Sequence, residues 1–321
     1  MGSGIPMSWR ELIKLDSNLT SQQNIITDAI PDKSNLAYVH KAAGERDVYY
    51  TYYHRKHYPT IGFGDPEYPR ISEIIPGRIR TYDLTQMSGL FNNYNLTDII
   101  CVNKKGHFVA CDLSNRGIVI LFWHPDYATD VFKFSTFPDL IPSGHLEDVK
   151  IAVGNESRYL YLKYNKDLSL GLVKVEIVSG SADIILQHQT ISPINVNNSG
   201  WYGISKIFYY QGYLYAWGRC DTSQVVGAQN IKCLFKFDAN TLNYLGSVGD
   251  FDGSGMYFES STGQAIDVVS YQGKLFVLSG DLTHPHNIHR FDIQTGNLEI
   301  IYPLTSKYRY YYCLGIFGIS Q

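Results

Sequence analysis

Charge of one sign is scarce in this chain. Lys and Arg number 27, Asp and Glu 30, the formal net charge is -3, and neither sign forms a long run. Phosphate binding needs a concentrated basic surface and a polybasic anchor needs clustered Lys and Arg, so neither nucleic acid nor an anionic membrane is an expected partner. Long apolar runs are missing too, and no stretch approaches a transmembrane helix, so no membrane insertion is expected. Sustained helical periodicity is absent. Trp9 to Leu15 fits one short turn or an outer strand. Cysteine is sparse and scattered, at Cys101, Cys111, Cys220, Cys233 and Cys313, without a CxxC pair or metal-type spacing. Cys220 and Cys233 flank one long loop and form a candidate disulfide, while the odd total favours buried free thiols. There is no Walker loop, no GxSxG elbow and no Cys/His nucleophile arrangement, so no cofactor is implied. Met1 to Pro6 reads as a non-native leader before a native start at Met7. No secretory signal pattern follows it.

What the chain does have is tyrosine, 26 residues, and glycine, 28. Tyrosine suits strands and also sugar- or protein-binding surfaces, because it offers flat apolar area with a hydroxyl. The glycines punctuate a repeat. Five hairpins share one layout: Leu36 to Tyr53, Asp98 to Leu113, Asp148 to Tyr164, Ser205 to Arg219, and Asp267 to Gly280. The last two both turn on Tyr-Gln-Gly, at Tyr210 to Gly212 and Tyr271 to Gly273, where Gly supplies the positive φ of a tight turn. Third strands are expected from Arg78, Gly117, Gly171, Cys233 and Ile288, and outer strands at ADIILQHQT and LNYLGSVG. That pattern predicts an all-β chain, a five-bladed β-propeller of four-stranded antiparallel blades, as one domain over 7–321. The strands are too many for one sandwich. The segment from Arg10 to Thr27 is expected to complete the last blade and close the ring, because an open sheet edge invites aggregation.

A blade gathers the connections that enter its first strand at the same end as those joining its second and third. Asn92, Asn93 and Tyr94 occupy the entry to the second blade, and Asn198, Trp201 and Tyr202 the entry to the fourth. Tyr257, Phe258 and Gln264 occupy the entry to the fifth. Aromatic faces cover the C–H face of a sugar while amides pair with its hydroxyls, so these are candidate glycan-binding residues. The alternative use of such aromatics is to plug the channel.

Catalysis would need two carboxyl groups at a fixed separation, one with a raised pKa. Glu147, Asp148 and Glu259 are the candidates if the chain is an enzyme, with Asp32, Asp98 and Asp267 on neighbouring loops. Asp98, Asp148 and Asp267 recur just before their first strands, a place where an Asp commonly caps a turn. His284, His286 and His289 are weak metal candidates, since Pro285 interrupts them and no acidic ligand completes a set. A solvated loop is expected there. GDFDGSG, Gly249 to Gly255, resembles part of a calcium loop without its last Glu. Sequons stand at Asn18, Asn95, Asn155 and Asn197 and matter only in a glycosylating compartment.

SGHLEDVKIAVGNESRYLYLKY, Ser143 to Tyr164, and SKIFYYQGYLYAWGR, Ser205 to Arg219, resemble the helveticin-J-like bacteriocins. They also resemble the teichoic-acid-associated propeller heads of staphylococcal phage receptor-binding proteins. The resemblance implies a five-bladed propeller that recognises cell-wall glycopolymers, with His145 and Glu147 as site residues. The fifth blade departs from the group, carrying ESSTGQAIDV from Glu259. The leading expectation is a non-enzymatic, lectin-like propeller that binds a bacterial cell-surface glycan or glycopolymer, as a toxin component or a phage-tail adhesin. A secreted or virion-associated setting is favoured over the cytoplasm. The alternatives are a glycosidase-like propeller and a scaffold for a protein partner.

Overall fold

The computed structural model describes residues 12–20, 22–26, 38–42, 48–53, 70–75, 78–83, 96–101, 107–112, 115–122, 133–141, 149–154, 159–166, 169–179, 184–194, 206–219, 232–248, 265–280 and 286–304. The regular structure among them is all β, without a helix. A hairpin comes first, β1 (Leu12–Leu15) and β2 (Gln22–Ile26). Five four-stranded sheets follow. The first holds β3 (Tyr38–Ala42), β4 (Val48–Tyr53), β5 (Arg70–Ile75) and β6 (Arg78–Asp83). The second holds β7 (Leu96–Cys101), β8 (His107–Asp112), β9 (Gly117–Phe122) and β10 (Lys133–Phe137). The third holds β11 (Val149–Val153), β12 (Tyr159–Lys166), β13 (Ser169–Ser179) and β14 (Ile184–Ile194). The fourth holds β15 (Lys206–Tyr210), β16 (Tyr213–Arg219), β17 (Lys232–Asp238) and β18 (Tyr244–Val248). The fifth holds β19 (Ala265–Tyr271), β20 (Lys274–Ser279), β21 (Asn287–Asp292) and β22 (Leu298–Pro303).

Each sheet is an antiparallel meander in chain order. The first strands β3, β7, β11, β15 and β19 lie beside one another in succession. In the fourth and fifth sheets burial is deepest in the second strands and falls off toward the fourth. In β20 every residue after Lys274 is buried, which a strand achieves only when both faces of its sheet are covered. In β22 the pattern is mostly exposed, with Leu298 and Ile301 about half open to solvent. The apolar faces of neighbouring sheets meet in shared clusters. Ala152, Tyr161 and Leu172 of the third sheet pack with Ile207, Leu214 and Phe237 of the fourth. Tyr215, Trp217 and Leu234 of the fourth pack with Leu275, Val277 and Phe291 of the fifth.

The Tyr-Gln-Gly hairpins behave as their composition predicts. Tyr210 pairs with Tyr213 and Tyr271 with Lys274, leaving two-residue turns. Both central residues have positive φ, 47° and 82° at Gln211 and Gly212, 48° and 74° at Gln272 and Gly273. These are mirror-image turns whose twist matches the flanking strands. Four of the expected third strands are third strands, β9, β13, β17 and β21. The segment from Arg78 is instead the fourth strand of its sheet, β6. Arg70–Ile75 takes the third place, pairing with β4 on one side and with Arg78–Asp83 on the other. At the N-terminus β1 and β2 pair with each other, and their turn rests on the fifth sheet through side chains.

Candidate ligand-binding end of the sheets

A meander fixes which connections share an end. The turns joining first to second and third to fourth strands leave one end. The entry loops and the second-to-third connections leave the other. In the fourth sheet Ala239 N–H donates to the Gly212 carbonyl at 2.9 Å, and in the fifth Ile293 N–H donates to the Gly273 carbonyl at 3.0 Å. These bonds weld the two turns of each sheet together. Asp238 and Asp292 anchor the third-to-fourth turns. Asp238 Oδ1 accepts from the N–H groups of Asn240 and Thr241 and from the Thr241 hydroxyl. Asp292 Oδ1 accepts likewise from Gln294 and Thr295. The Thr241 backbone N–H, ahead of other contributions, holds the Asp238 carboxyl below its ordinary range. The repeated FDANTLN and FDIQTGN carry this turn, and sequence reading passed over that signal.

The expected glycan-binding residues fall in the connections that enter the first strands. Asn92, Asn93 and Tyr94 lie between β6 and β7, and His145, Glu147 and Asp148 between β10 and β11. Asn198, Trp201 and Tyr202 lie between β14 and β15, and Tyr257, Phe258, Glu259 and Gln264 between β18 and β19. All of these, with Asp32, His284, Cys220 and the segment from Gly249 to Gly255, lie outside the described residues. Two of the recurring aspartates correct their expected place. Asp98 and Asp267 stand inside β7 and β19 rather than before them. In both strands the pairing register slips at this end, between Thr97 and Ile99 and between Ala265 and Asp267. Such a bulge re-aims the chain at the mouth of an entry loop.

The described part of this end shows how the loop bases are held. Asn115 and Arg116 link β8 to β9, and residues 138–141 leave β10 toward β11. Arg116 forms an ion pair with Asp139 and lies 3.5 Å from the Ile141 carbonyl. Asp139 N–H donates to the Asn115 carbonyl and Ile141 N–H to the Arg116 carbonyl, both at 2.9 Å. Leu140 and Ile141 are buried beneath this clamp. The segment that runs on to His145 and Glu147 therefore starts from a fixed base. The sequence reading singled out neither Arg116 nor Asp139.

The histidines of the fifth sheet correct the expected solvated loop. His286 and His289 are both buried. Leu304 N–H donates to the His286 carbonyl at 2.9 Å, and the His286 ring lies against Gly280, where φ is 145° and a Cβ would sit 2.6 Å from His286 Cδ2. His289 belongs to β21, with Nε2 2.9 Å from the Ser279 hydroxyl and its ring stacked on Phe291. Burial pushes the His289 pKa down, which keeps its ring neutral. Among the described residues no group of three metal-ligating side chains occurs. Of the tyrosines, Tyr161, Tyr164 and Tyr215 are core residues. Burial, then Tyr213, Asp292 and Tyr210, pushes Tyr215 up to about 12.

No family model matches the chain, and a search of curated proteins finds no match. Solved structures do match. A proposed 6-phosphogluconolactonase from Bacteroides uniformis aligns at 12% identity over 92% of this chain and 93% of its own, with a TM-score of 0.48. The BP39L lectin from Burkholderia pseudomallei aligns at 10% identity over 89% and 76%, with a TM-score of 0.49. TolB from Acinetobacter baumannii aligns at 8% identity over 92% and 59%, also with a TM-score of 0.49.

Proposed function

We propose that the chain is a β-propeller with its five four-stranded sheets as consecutive blades, and that it binds a bacterial cell-surface glycan or glycopolymer without cleaving it. One observation carries the reading. Five consecutive meanders stand with their first strands side by side, and in the fourth and fifth the welded turns close one end, so chain direction assigns the entry loops to the other. In a radial arrangement those loops gather around one axis. They bear the Asn-Asn-Tyr, Trp-Tyr and Tyr-Phe groups that suit a sugar face. The reading rests on these loops and not on the similar structures.

The test is retention of the purified chain on a glycan array and on bacterial cell walls. Trp201→Ala and Tyr202→Ala are each expected to weaken retention about tenfold, equivalent to about 1.4 kcal/mol, with the melting temperature unchanged. Failure of the parent protein to bind any glycan or wall preparation sinks the proposal. Turnover of a glycan that disappears in Glu147→Ala or Asp148→Ala would assign the loops to hydrolysis instead.

A further inference from the structure

The N-terminal hairpin carries a turn built like those of the fourth and fifth sheets. Leu15 pairs with Gln22, Phe237 with Tyr244 and Phe291 with Leu298, so residues 16–21, 238–243 and 292–297 are connections of equal length. Each opens on an Asp whose Oδ1 accepts the N–H two residues on: Asn18 to Asp16 at 2.8 Å, Asn240 to Asp238 at 2.9 Å, and Gln294 to Asp292 at 3.0 Å. A threonine hydroxyl closes each turn on the same carboxylate, from Thr20, Thr241 and Thr295. One residue in each is left-handed, Leu19 at 58°, Leu242 at 60° and Gly296 at 76°. The order of the last two features is exchanged in the hairpin, where Leu19 precedes Thr20.

The equivalence extends to what each turn touches. The residue two past the Asp carries an amide that reaches the sheet before it. Asn240 Oδ1 accepts from Lys174 Nζ of the third sheet at 3.2 Å, and Gln294 Nε2 donates to Gln211 Oε1 of the fourth at 2.8 Å. Asn18 Oδ1 accepts from Arg290 of the fifth sheet at 3.3 Å, and the same guanidinium donates to the Ser17 carbonyl at 2.8 Å. Lys174 and Arg290 hold the same place in their third strands, each two residues before an acid, Glu176 and Asp292. The packing agrees. Leu242 is buried in the cluster that joins the third and fourth sheets. Leu19, with Leu15 beside it, is buried on Phe276, Leu278 and Ile288 of the fifth.

We infer that β1 and β2 are the third and fourth strands of a further blade, seated on the fifth sheet as β17 and β18 are seated on the third. The hairpin thus continues the ring past the fifth blade instead of adding a strand to it. This covers the apolar face of β20 and β21 that would otherwise end the row. The inference rests on the propeller reading for its geometry, but not on glycan binding.

Hydrogen exchange on the full-length protein tests it. The Leu19 amide, bonded to the Asp16 carbonyl, and the strand amides of β1 and β2 are expected to be protected together with β20 and β21. Asn18→Ala, and separately Arg290→Met, should speed exchange in both regions at once and lower the melting temperature by several degrees. The double variant should cost less than the sum of the two singles. Free exchange across residues 12–26 while β19–β22 stay protected would overturn the inference, as would additive effects of the two variants. A protein that keeps the coupled protection yet binds no glycan would sink the functional proposal alone.

Discussion

His289 shows how far a residue's surroundings outrun its type. In the sequence it ends a short polar stretch with proline. In the fold it lies in a central strand, bonded to Ser279 and stacked on Phe291. Because burial lowers its pKa, the folded protein takes up this proton less readily than the unfolded chain does. Stability from this site is therefore intact above the ordinary imidazole pKa, near 6.5, and falls as pH drops below it. Thermal melts between pH 7 and pH 5 should show a loss that His289→Gln reduces, since the amide can still bond the Ser279 hydroxyl. An identical pH dependence in the variant would show that His289 does not titrate across unfolding.

At the scale of the element, the two-residue turns are the part most directly written in the chain. Gln272 occupies a left-handed position that asparagine tolerates better, and its side chain is exposed. Gln272→Asn should stabilise by about 0.5 kcal/mol. Gly273→Ala should destabilise by at least about 1 kcal/mol, because φ is 74° and the new Cβ would meet the Tyr210 hydroxyl at 2.5 Å. Chemical denaturation of both variants measures the difference. A neutral Gly273→Ala would mean that Tyr210 does not pack on this turn. Period-two patterning made the strands readable, but it misplaced the fourth strand of the first sheet. Arg70–Ile75 and Arg78–Asp83 are both strand-like, and only pairing decides which follows β4.

At the scale of the whole molecule, the fourth and fifth sheets hold one another through large buried side chains. Trp217 is 2% exposed and lies in the cluster that joins the fourth sheet to the fifth. Trp217→Ala should cost about 3–5 kcal/mol. Its signature should be faster hydrogen exchange in both sheets, β16 and β17 together with β20 and β21. An effect confined to the fourth sheet would show that the two do not unfold as one unit.

The sequence by itself determined the all-β class, the hairpin turns and most of the strand order. Those follow from local rules: period-two burial, glycine at positive φ and the short reach of a tight turn. Only the tertiary structure decided that His286 and His289 are interior and that Arg116 and Asp139 clamp a loop base. It alone decided that Leu15 and Leu19 pack on a sheet formed by the far end of the chain. Each of these depends on contact between segments distant in sequence, and a local pattern cannot specify which distant surface will cover it.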